Sequence, residues 1–544
     1  MTMKKNILKY GLLCLVMTLT ACDDFFNVDT DNILDHTDYI NEESEMYSGY
    51  IGIITKMQAV GDKIIYLTDI RGEMLEPTFN TPVELYSLYN YDTDLTGNSY
   101  ADPAPYYDVV IACNDYLLKL YDYKEKNPAS INKSHYEALV SCALRVKAWT
   151  YLNIAKIYGE AYWYDGAMRE KPELPEFPEV KKLDEVVVAC KDLLDKGFDG
   201  INGKHTMSWK EWLDPDTEVA KSNYRYWDYM TPEYFALYAE LCLWSGDYQK
   251  AANLILNAMN EKFASTVNDA TAWMHNDKIG GVYATIWNNT NPAPQETVSA
   301  IIYDYQKNQT NSLLKHFGSE SPNEYLLAPS KVGMDRFSDS DFNPLGGAGS
   351  DRRTSVTFTK DNAGNYVIQK FRPVKGAVRT FAYQDDVHIY TYRGSELYFM
   401  LAEAMNNLGR YDEASALINN GLNGSFPSGG VFWDGFTDDW TSNHTTLGTR
   451  KYPDKGIRGV HSLGMREFTK NAKDNDLAIL DEMMLEFSCE GKIYPAMIRI
   501  ARRYGDFDII ADRVCPKYAN PDEIRAKIKA GGYFINWDLN NKSN

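Results

Sequence analysis

The sequence predicts a mainly α protein: a tetratricopeptide-like helix-hairpin scaffold with a large, irregular, loop-rich subdomain that carries short strands. Three observations predict it. Apolar residues recur at helical spacing along much of the chain. One helix-hairpin pattern occurs twice. Between its two copies, residues 263–390 show no long helical period.

The chain begins with a basic head, Lys4, Lys5 and Lys9, followed by a nearly unbroken apolar run from Tyr10 to Leu19. That run suits the apolar region of a signal peptide and is short for a membrane span, which needs about 20 apolar residues. It ends in Leu19-Thr20-Ala21-Cys22. This resembles the lipobox of bacterial lipoproteins, in which the cysteine thiol is acylated and becomes the new N-terminus. Residues 1–21 are therefore expected to be a signal peptide, Cys22 the lipidation site, and 22–42 a lipidated N-terminal segment. Asp23 and Asp24 resemble the signal that sends such lipoproteins to the outer face of the outer membrane. Lipid would then anchor the chain, at about 0.8 kcal/mol per buried methylene.

A helical scaffold is expected over 43–262, with helices at about 43–59, 104–122, 135–159, 183–195, 232–245 and 248–261. In the third, Leu139, Cys142, Val146, Trp149, Leu152 and Ile157 recur at helical spacing, and Gly159 is a natural C-cap. An irregular stretch at 82–107 interrupts this part and holds six tyrosines. The scaffold is expected to resume over 391–544, with helices at 394–408, 411–420 and 476–503 and an aromatic loop at 425–462. The repeat is AELCLWSGDYQKAANLILNAMN at 239–260 and AEAMNNLGRYDEASALINNGLN at 402–423. Small alanines let two helices approach, glycine makes the turn, and tyrosine wedges under the second helix. Such hairpins bury their faces only by stacking on neighbours. Helices before 260 and after 393 should therefore share one scaffold. The excursion at 263–390 holds Gly/Pro/Asn-rich turns and the strand-like runs TVSAIIYDY and YVIQKF. Its aromatic content argues against disorder.

The formal charge is −20, and removal of the signal peptide takes three lysines and no acids with it. So acidic a chain repels phosphate backbones and anionic headgroups, which excludes nucleic acid as a partner class. Beyond Cys22, six cysteines are too sparse for a disulfide scaffold and read as small buried apolar residues. No His pair makes H-E-x-x-H, no G-x-S-x-G elbow occurs, and PLGGAG lacks the end of a phosphate loop. Asp339-x-Asp341-x-Asn343 opens like a calcium loop, but Pro344 and Ser350 stand where Gly and Glu are needed. No enzyme activity, cofactor or metal is expected. A glycosidase needs only two suitably spaced carboxylates, so that alternative stays open.

Several segments in order resemble the SusD/RagB family of outer-membrane glycan-binding lipoproteins of Bacteroidota. They are the lipobox with its acids, ALRVKAWTYLNIAKIYGEAYW (143–163), the W-S-G-D-Y hairpin, EYLLAPSKVGMDRF with DRR (324–353), YRGSELYFMLAEAMNNLGRYDEA (392–414) and ILDEMMLEFSCEGKIYPAMIRIARRYGD (479–506). Met484 and Lys492 replace arginines usual in the last segment, Pro495-Ala496 replaces an aromatic–Asp pair, and the Pro-rich tail is missing, as in a divergent branch. The resemblance implies a glycan ligand and a surface location on the outer membrane. It also implies a TonB-dependent, SusC-like barrel as partner, which the protein caps like a lid. A peptide ligand is a further alternative, since relatives of this kind also serve peptide import.

Sugars have polar edges and apolar C–H faces. A site for them needs aromatic platforms interleaved with Asp, Asn and Arg on loops. Residues 67–100 have that composition. By position in the family, Asp69, Arg71, Tyr91 and Asn98 match best, joined by Tyr89 and Tyr100. Trp273, Tyr283 and Trp287 from the excursion are expected to complete the site.

Overall fold

The computed structural model describes residues 40–129, 132–164, 166, 179–198, 229–263, 283, 285–288, 296–303, 308–371, 387–421 and 456–537. The expected Cys22 anchor lies outside them, as do Trp273 and residues 425–455 of the aromatic loop expected at 425–462.

Helix Lys133–Tyr158 is the spine of the N-terminal half. The Asn132 side chain caps it by accepting from the Ser134 and His135 amides at 3.1 and 3.4 Å. Gly159 ends it with φ +80°, a left-handed conformation that glycine adopts without steric cost. Almost every residue from Ala138 to Tyr158 is buried, because helices Ala104–Lys126 and Leu183–Phe198 pack against it.

The repeated hairpins are Tyr234–Ser245 with Tyr248–Phe263, and Gly394–Asn407 with Tyr411–Ile418. Their turns hold Gly246 at φ +76° and Gly409 at φ +77°. Helix Tyr248–Phe263 packs directly on Gly394–Asn407, so the two copies are spatial neighbours despite their sequence separation. The Ala-Glu of each copy anchors its hairpin to other helices of the scaffold. Ala239 and Ala402 are fully buried and let backbones approach. Glu240 pairs with Lys156 at 2.9 Å, and Glu403 pairs with Arg499 at 2.6 Å. Burial opposes ionisation of Glu403, but Arg499 and Arg503 outweigh it and hold the carboxyl at about 2.

The helix expected over 476–503 is two helices, Ala472–Phe487 and Ile493–Tyr504. The break follows from the approach of a distant segment. Cys489 and Gly491 take φ +66° and +74°, and a Cβ on Gly491 would sit 2.9 Å from the Ile64 carbonyl. The stretch at 82–107, expected to be irregular, contains helix Val83–Tyr89, whose Leu85, Leu88 and Tyr89 face inward at helical spacing. Helices Gly61–Asp69, Asp508–Val514 and Pro521–Lys527 also form. All six cysteines from Cys113 to Cys515 are free and buried. Among the described residues, no helix is long and apolar enough to cross a membrane.

Strands Thr297–Tyr303 and Val387–Arg393 pair antiparallel, and every residue of both is buried. Smaller pairs join Leu75–Pro77 to Leu327–Pro329, Glu160–Tyr162 to Val180–Lys182, and Phe358–Lys360 to Tyr366–Ile368.

A buried ionic network ties the excursion to the scaffold. Glu482 and Glu486 are one turn apart on helix Ala472–Phe487, and Glu490 follows in the break. Arg353 reaches Asp351 at 2.7 Å, Glu482 at 2.8 Å and Glu486 at 3.2 Å. Arg393 reaches Glu486 and Glu490 at 2.9 Å and Glu296 at 3.2 Å. Lys370 pairs with Glu490 at 2.7 Å, Arg466 with Glu482 at 3.0 Å, and Arg458 also with Glu482. Burial would raise the Glu486 carboxyl, yet Arg393, His461 and Arg353 together hold it well below the usual carboxylate range.

Removing one member strands the others in the core, which typically costs about 3–5 kcal/mol. Arg353→Met should therefore lower urea-unfolding stability by about that amount or prevent folding. Arg502→Ala, whose exposed pairing with Asp184 is solvent-screened, should change it by less than about 1 kcal/mol. Equal effects of the two would show that the network is not what holds the excursion.

Candidate glycan-binding face

Helix Gly61–Asp69 delivers Asp69 into the core, where its Oδ2 accepts the Gly491 amide at 2.9 Å. Arg71 follows and is also buried. Its guanidinium lies 4.2 Å from the centre of the Tyr91 ring and donates to the carbonyls of Gly532 and Tyr533. Tyr91 returns the contact by donating its hydroxyl to the Arg71 carbonyl at 2.5 Å. Its φ of +56° is unusual for a residue with a side chain, and the buried ring with its hydrogen bond sustains it.

Asn98 is buried and closes its own turn. It donates to the Glu84 carbonyl at 2.8 Å and accepts from the Tyr100 and Ala101 amides at 3.1 and 3.2 Å. Tyr89 is 7% exposed and lies over Tyr518, ring centres 4.4 Å apart. Tyr100 is half-buried, edge-on to Tyr66 at 5.9 Å. Tyr283 donates to the Glu486 carboxylate at 3.3 Å, inside the ionic network. Trp287 is packed edge-on between Phe371 and Tyr390 at 5.6 and 5.4 Å. The fold thus brings Asp69, Arg71, Tyr89 and Tyr91 together beneath the loop. It places Tyr283 and Trp287 in a different part of the core.

A buried lysine organises the same turn. Lys517 Nζ donates to the carbonyls of Ile70, Gly72 and Leu75 at 2.8, 2.6 and 2.9 Å. The rings of Tyr89 and Tyr518 stand 4.6 and 5.1 Å from the same nitrogen. Burial lowers its pKa to about 7, against the pull of Glu76, Glu73 and Asp69.

The exposed aromatic surface lies next to this turn. Phe79 is 90% exposed, Val83 72%, Tyr86 46% and Tyr366 39%. Their backbone is held rigidly. Strand Leu75–Pro77 pairs with Leu327–Pro329. The Thr78 amide donates to the Leu326 carbonyl at 3.2 Å, and Asn80 Nδ2 to the Glu324 carbonyl at 2.9 Å. Tyr325, at φ +52°, donates its hydroxyl to the Tyr366 carbonyl at 2.7 Å. Polar groups stand on the same segments. Glu324 pairs with Lys315 at 2.7 Å, and Lys360 lies 4.7 Å from the centre of the Tyr366 ring. Asp361 accepts from Ser319 and Asn365, whose hydrogen bonds overcome desolvation and hold its carboxyl at about 2. Flat apolar rings beside fixed donors and acceptors can bind the C–H face and hydroxyl edge of a sugar.

Sequence reasoning counted Tyr86 among the loop tyrosines but did not single it out, and it passed over Phe79. A helical phase did exist to find Tyr86, though not Phe79, which precedes the helix. With Leu85, Leu88 and Tyr89 inward, Val83 and Tyr86 must point outward.

Asp69 makes the core of this region pH-sensitive. Burial, with the nearby Glu490, raises its carboxyl to about 7, against the Gly491 hydrogen bond. The folded chain therefore keeps this proton up to neutral pH, whereas the unfolded chain loses it near pH 3.9. The stability it contributes is complete below about pH 4 and is lost as the pH rises to about 7. Asp69→Asn keeps an acceptor for Gly491 and loses no proton. Urea unfolding from pH 4 to 8 should show wild type falling relative to Asp69→Asn by about 2–4 kcal/mol. A constant difference would refute the assignment.

No protein-family model matches the chain, and no curated protein matches it. Solved structures do. A SusD superfamily protein from Bacteroides vulgatus ATCC 8482 aligns with TM-score 0.61 at 14% identity, covering 91% of this chain and 95% of that one. Surface glycan-binding protein A from Bacteroides uniformis aligns with TM-score 0.59 at 15% identity, over 91% and 96%. A laminarin-binding SusD-like protein aligns with TM-score 0.55 at 14% identity, over 87% and 94%. At these identities the likeness is one of fold. The chain has the fold of the SusD superfamily, carried by a divergent sequence.

Proposed function

We propose that the chain is a non-catalytic surface lipoprotein that binds oligo- or polysaccharide. It delivers this ligand to a TonB-dependent, SusC-like barrel in the outer membrane. The observation that carries the reading is the exposure of Phe79, Tyr86 and Tyr366, with Val83, on segments flanked or held by strand pairing. Neighbours of the same fold are named for glycan and laminarin binding. The lipobox at Cys22 supports surface anchoring, and the two acids after it support export.

In this reading the exposed residues and the sequence-predicted ones divide by role. Phe79 and Tyr86 form the platform, with Tyr100 at its edge. Asp69, Arg71, Tyr89, Tyr91 and Asn98 hold the turn beneath it. Tyr283 and Trp287 brace a different part of the core. The negative charge favours neutral or cationic ligands over acidic glycans.

Each aromatic platform contributes about 0.5–1.5 kcal/mol beyond area burial. Phe79→Ala with Tyr86→Ala should therefore weaken glycan binding at least about tenfold in calorimetry. Thermal unfolding should be unchanged, because both side chains are exposed. Wild-type protein that binds no polysaccharide, or a double variant that binds as well as wild type, would sink the reading. New reducing ends that vanish in Glu76→Gln would instead make it a hydrolase, since burial raises that carboxyl beside the face.

Cys22→Ala should release the chain from the membrane fraction. Retention there would remove the lipid anchor.

A further inference from the structure

A concave site lies apart from the exposed aromatics. It is a groove of about 540 Å³, a volume typical of ligand pockets, between the end of helix Lys133–Tyr158, the Glu160–Lys182 strand pair and the C-terminal segment. None of Phe79, Val83, Tyr86 and Tyr366 lines it.

Its walls are fixed before any ligand arrives. The Ile535 amide donates to the Ile157 carbonyl at 2.9 Å, and Asn536 Nδ2 to the Thr93 carbonyl at 3.3 Å. Arg71 grips the Gly532 and Tyr533 carbonyls from the core side. The Phe534 ring lies directly on Gly159, where a Cβ would come within 2.5 Å of it. From Gly532 to Asn536 the chain is thus pinned and cannot collapse into the space it encloses.

The lining is chemically balanced. Arg502 and Lys182 are matched by Asp184 and Glu160, so the groove has no net charge to attract an ion. Arg502 Nη2 contacts both Asp184 oxygens at 2.8 Å, presenting a donor and an acceptor side by side. Glu160 and Lys182 stand opposite each other in the strand register. Among the described residues, neither side chain makes an ion pair. Phe534 and Ile535 supply an apolar wall. Adjacent donors and acceptors of both signs, with a flat apolar wall, match vicinal hydroxyls on a neutral ring.

We propose that this groove binds a short, uncharged saccharide as a second ligand site. The proposal shares its ligand class with the glycan reading but no lining residue.

The test is calorimetry of the purified mature chain with maltotriose, cellotriose, laminaritriose and xylotriose, with trigalacturonic acid and a glucosamine trimer as charged counterparts. At least one neutral trimer should bind. Arg502→Ala and Asp184→Ala should each weaken it about tenfold or more, as loss of a charged hydrogen-bonding group does. Phe79→Ala with Tyr86→Ala should leave that binding unchanged. Lys182→Met repeats the test should either groove variant unfold. No bound neutral trimer, preference for a charged one, or indifference to the groove variants overturns the inference. If the groove variants are silent while the aromatic variants abolish polysaccharide binding, only the groove fails. If wild type binds neither trimer nor polysaccharide, both readings fail.

Discussion

Three glutamates on and just after one helix set the terms for the rest of the molecule. Glu482, Glu486 and Glu490 are buried together, and a buried carboxylate without a counter-charge is intolerable in a low-dielectric interior. Their partners are Arg353 and Lys370 from the excursion, and Arg393, Arg458, His461 and Arg466 from the scaffold half that follows it. Arg353 and Lys370 find their carboxylates only when the excursion returns to the helical scaffold. The network is therefore the joint between the repetitive and the irregular parts of the protein.

That joint explains which motifs the sequence displayed most openly. The D-R-R ending at Arg353, the Arg393 that opens the second repeat helix, and the Glu482–Glu490 segment were read as marks of a binding-protein family. In three dimensions they meet one another in the core. Even a departure from the family pattern fits this logic. Lys492 pairs with Glu396 at 2.6 Å and so acts as a structural cation. The residues that make the resemblance visible thus hold the scaffold, while the candidate binding surfaces lie on loops that it positions.

The same principle operates at smaller scale around the aromatic face. Lys517 threads three carbonyls of the 70–75 turn, and Arg71, Tyr91 and Asn98 close the surrounding loop. Polar and aromatic residues that look like ligand contacts in the sequence spend their hydrogen bonds internally. The benefit is rigidity: exposed rings on a fixed backbone lose little entropy on binding. The C-terminal groove is built likewise, with Arg71 serving its wall from beneath. One buried guanidinium thus braces both surfaces.

The hairpin repeats were legible in the sequence because their determinants are local. Alanine, glycine and tyrosine at fixed offsets specify close helix approach, a left-handed turn and a wedge, and Gly246 and Gly409 adopt the conformations this requires. The strands at Thr297 and Tyr366 were legible for the same reason, as β-rich runs between turn residues. The break at Cys489–Gly491 was not legible, since only contact with the Ile64 backbone demands it. Nor was the burial of Asp69, Arg71 and Tyr91, because Arg, Asp and Tyr suit a wet loop as well as a paired core site. Which of the two they occupy depends on whether a distant partner, such as Gly491 or Gly532, arrives to satisfy them. Sequence alone determined the helical class, the repeat and the aromatic loop. Only the tertiary structure decided which polar and aromatic side chains remain for a ligand, because hydrogen bonds between distant segments are settled by packing.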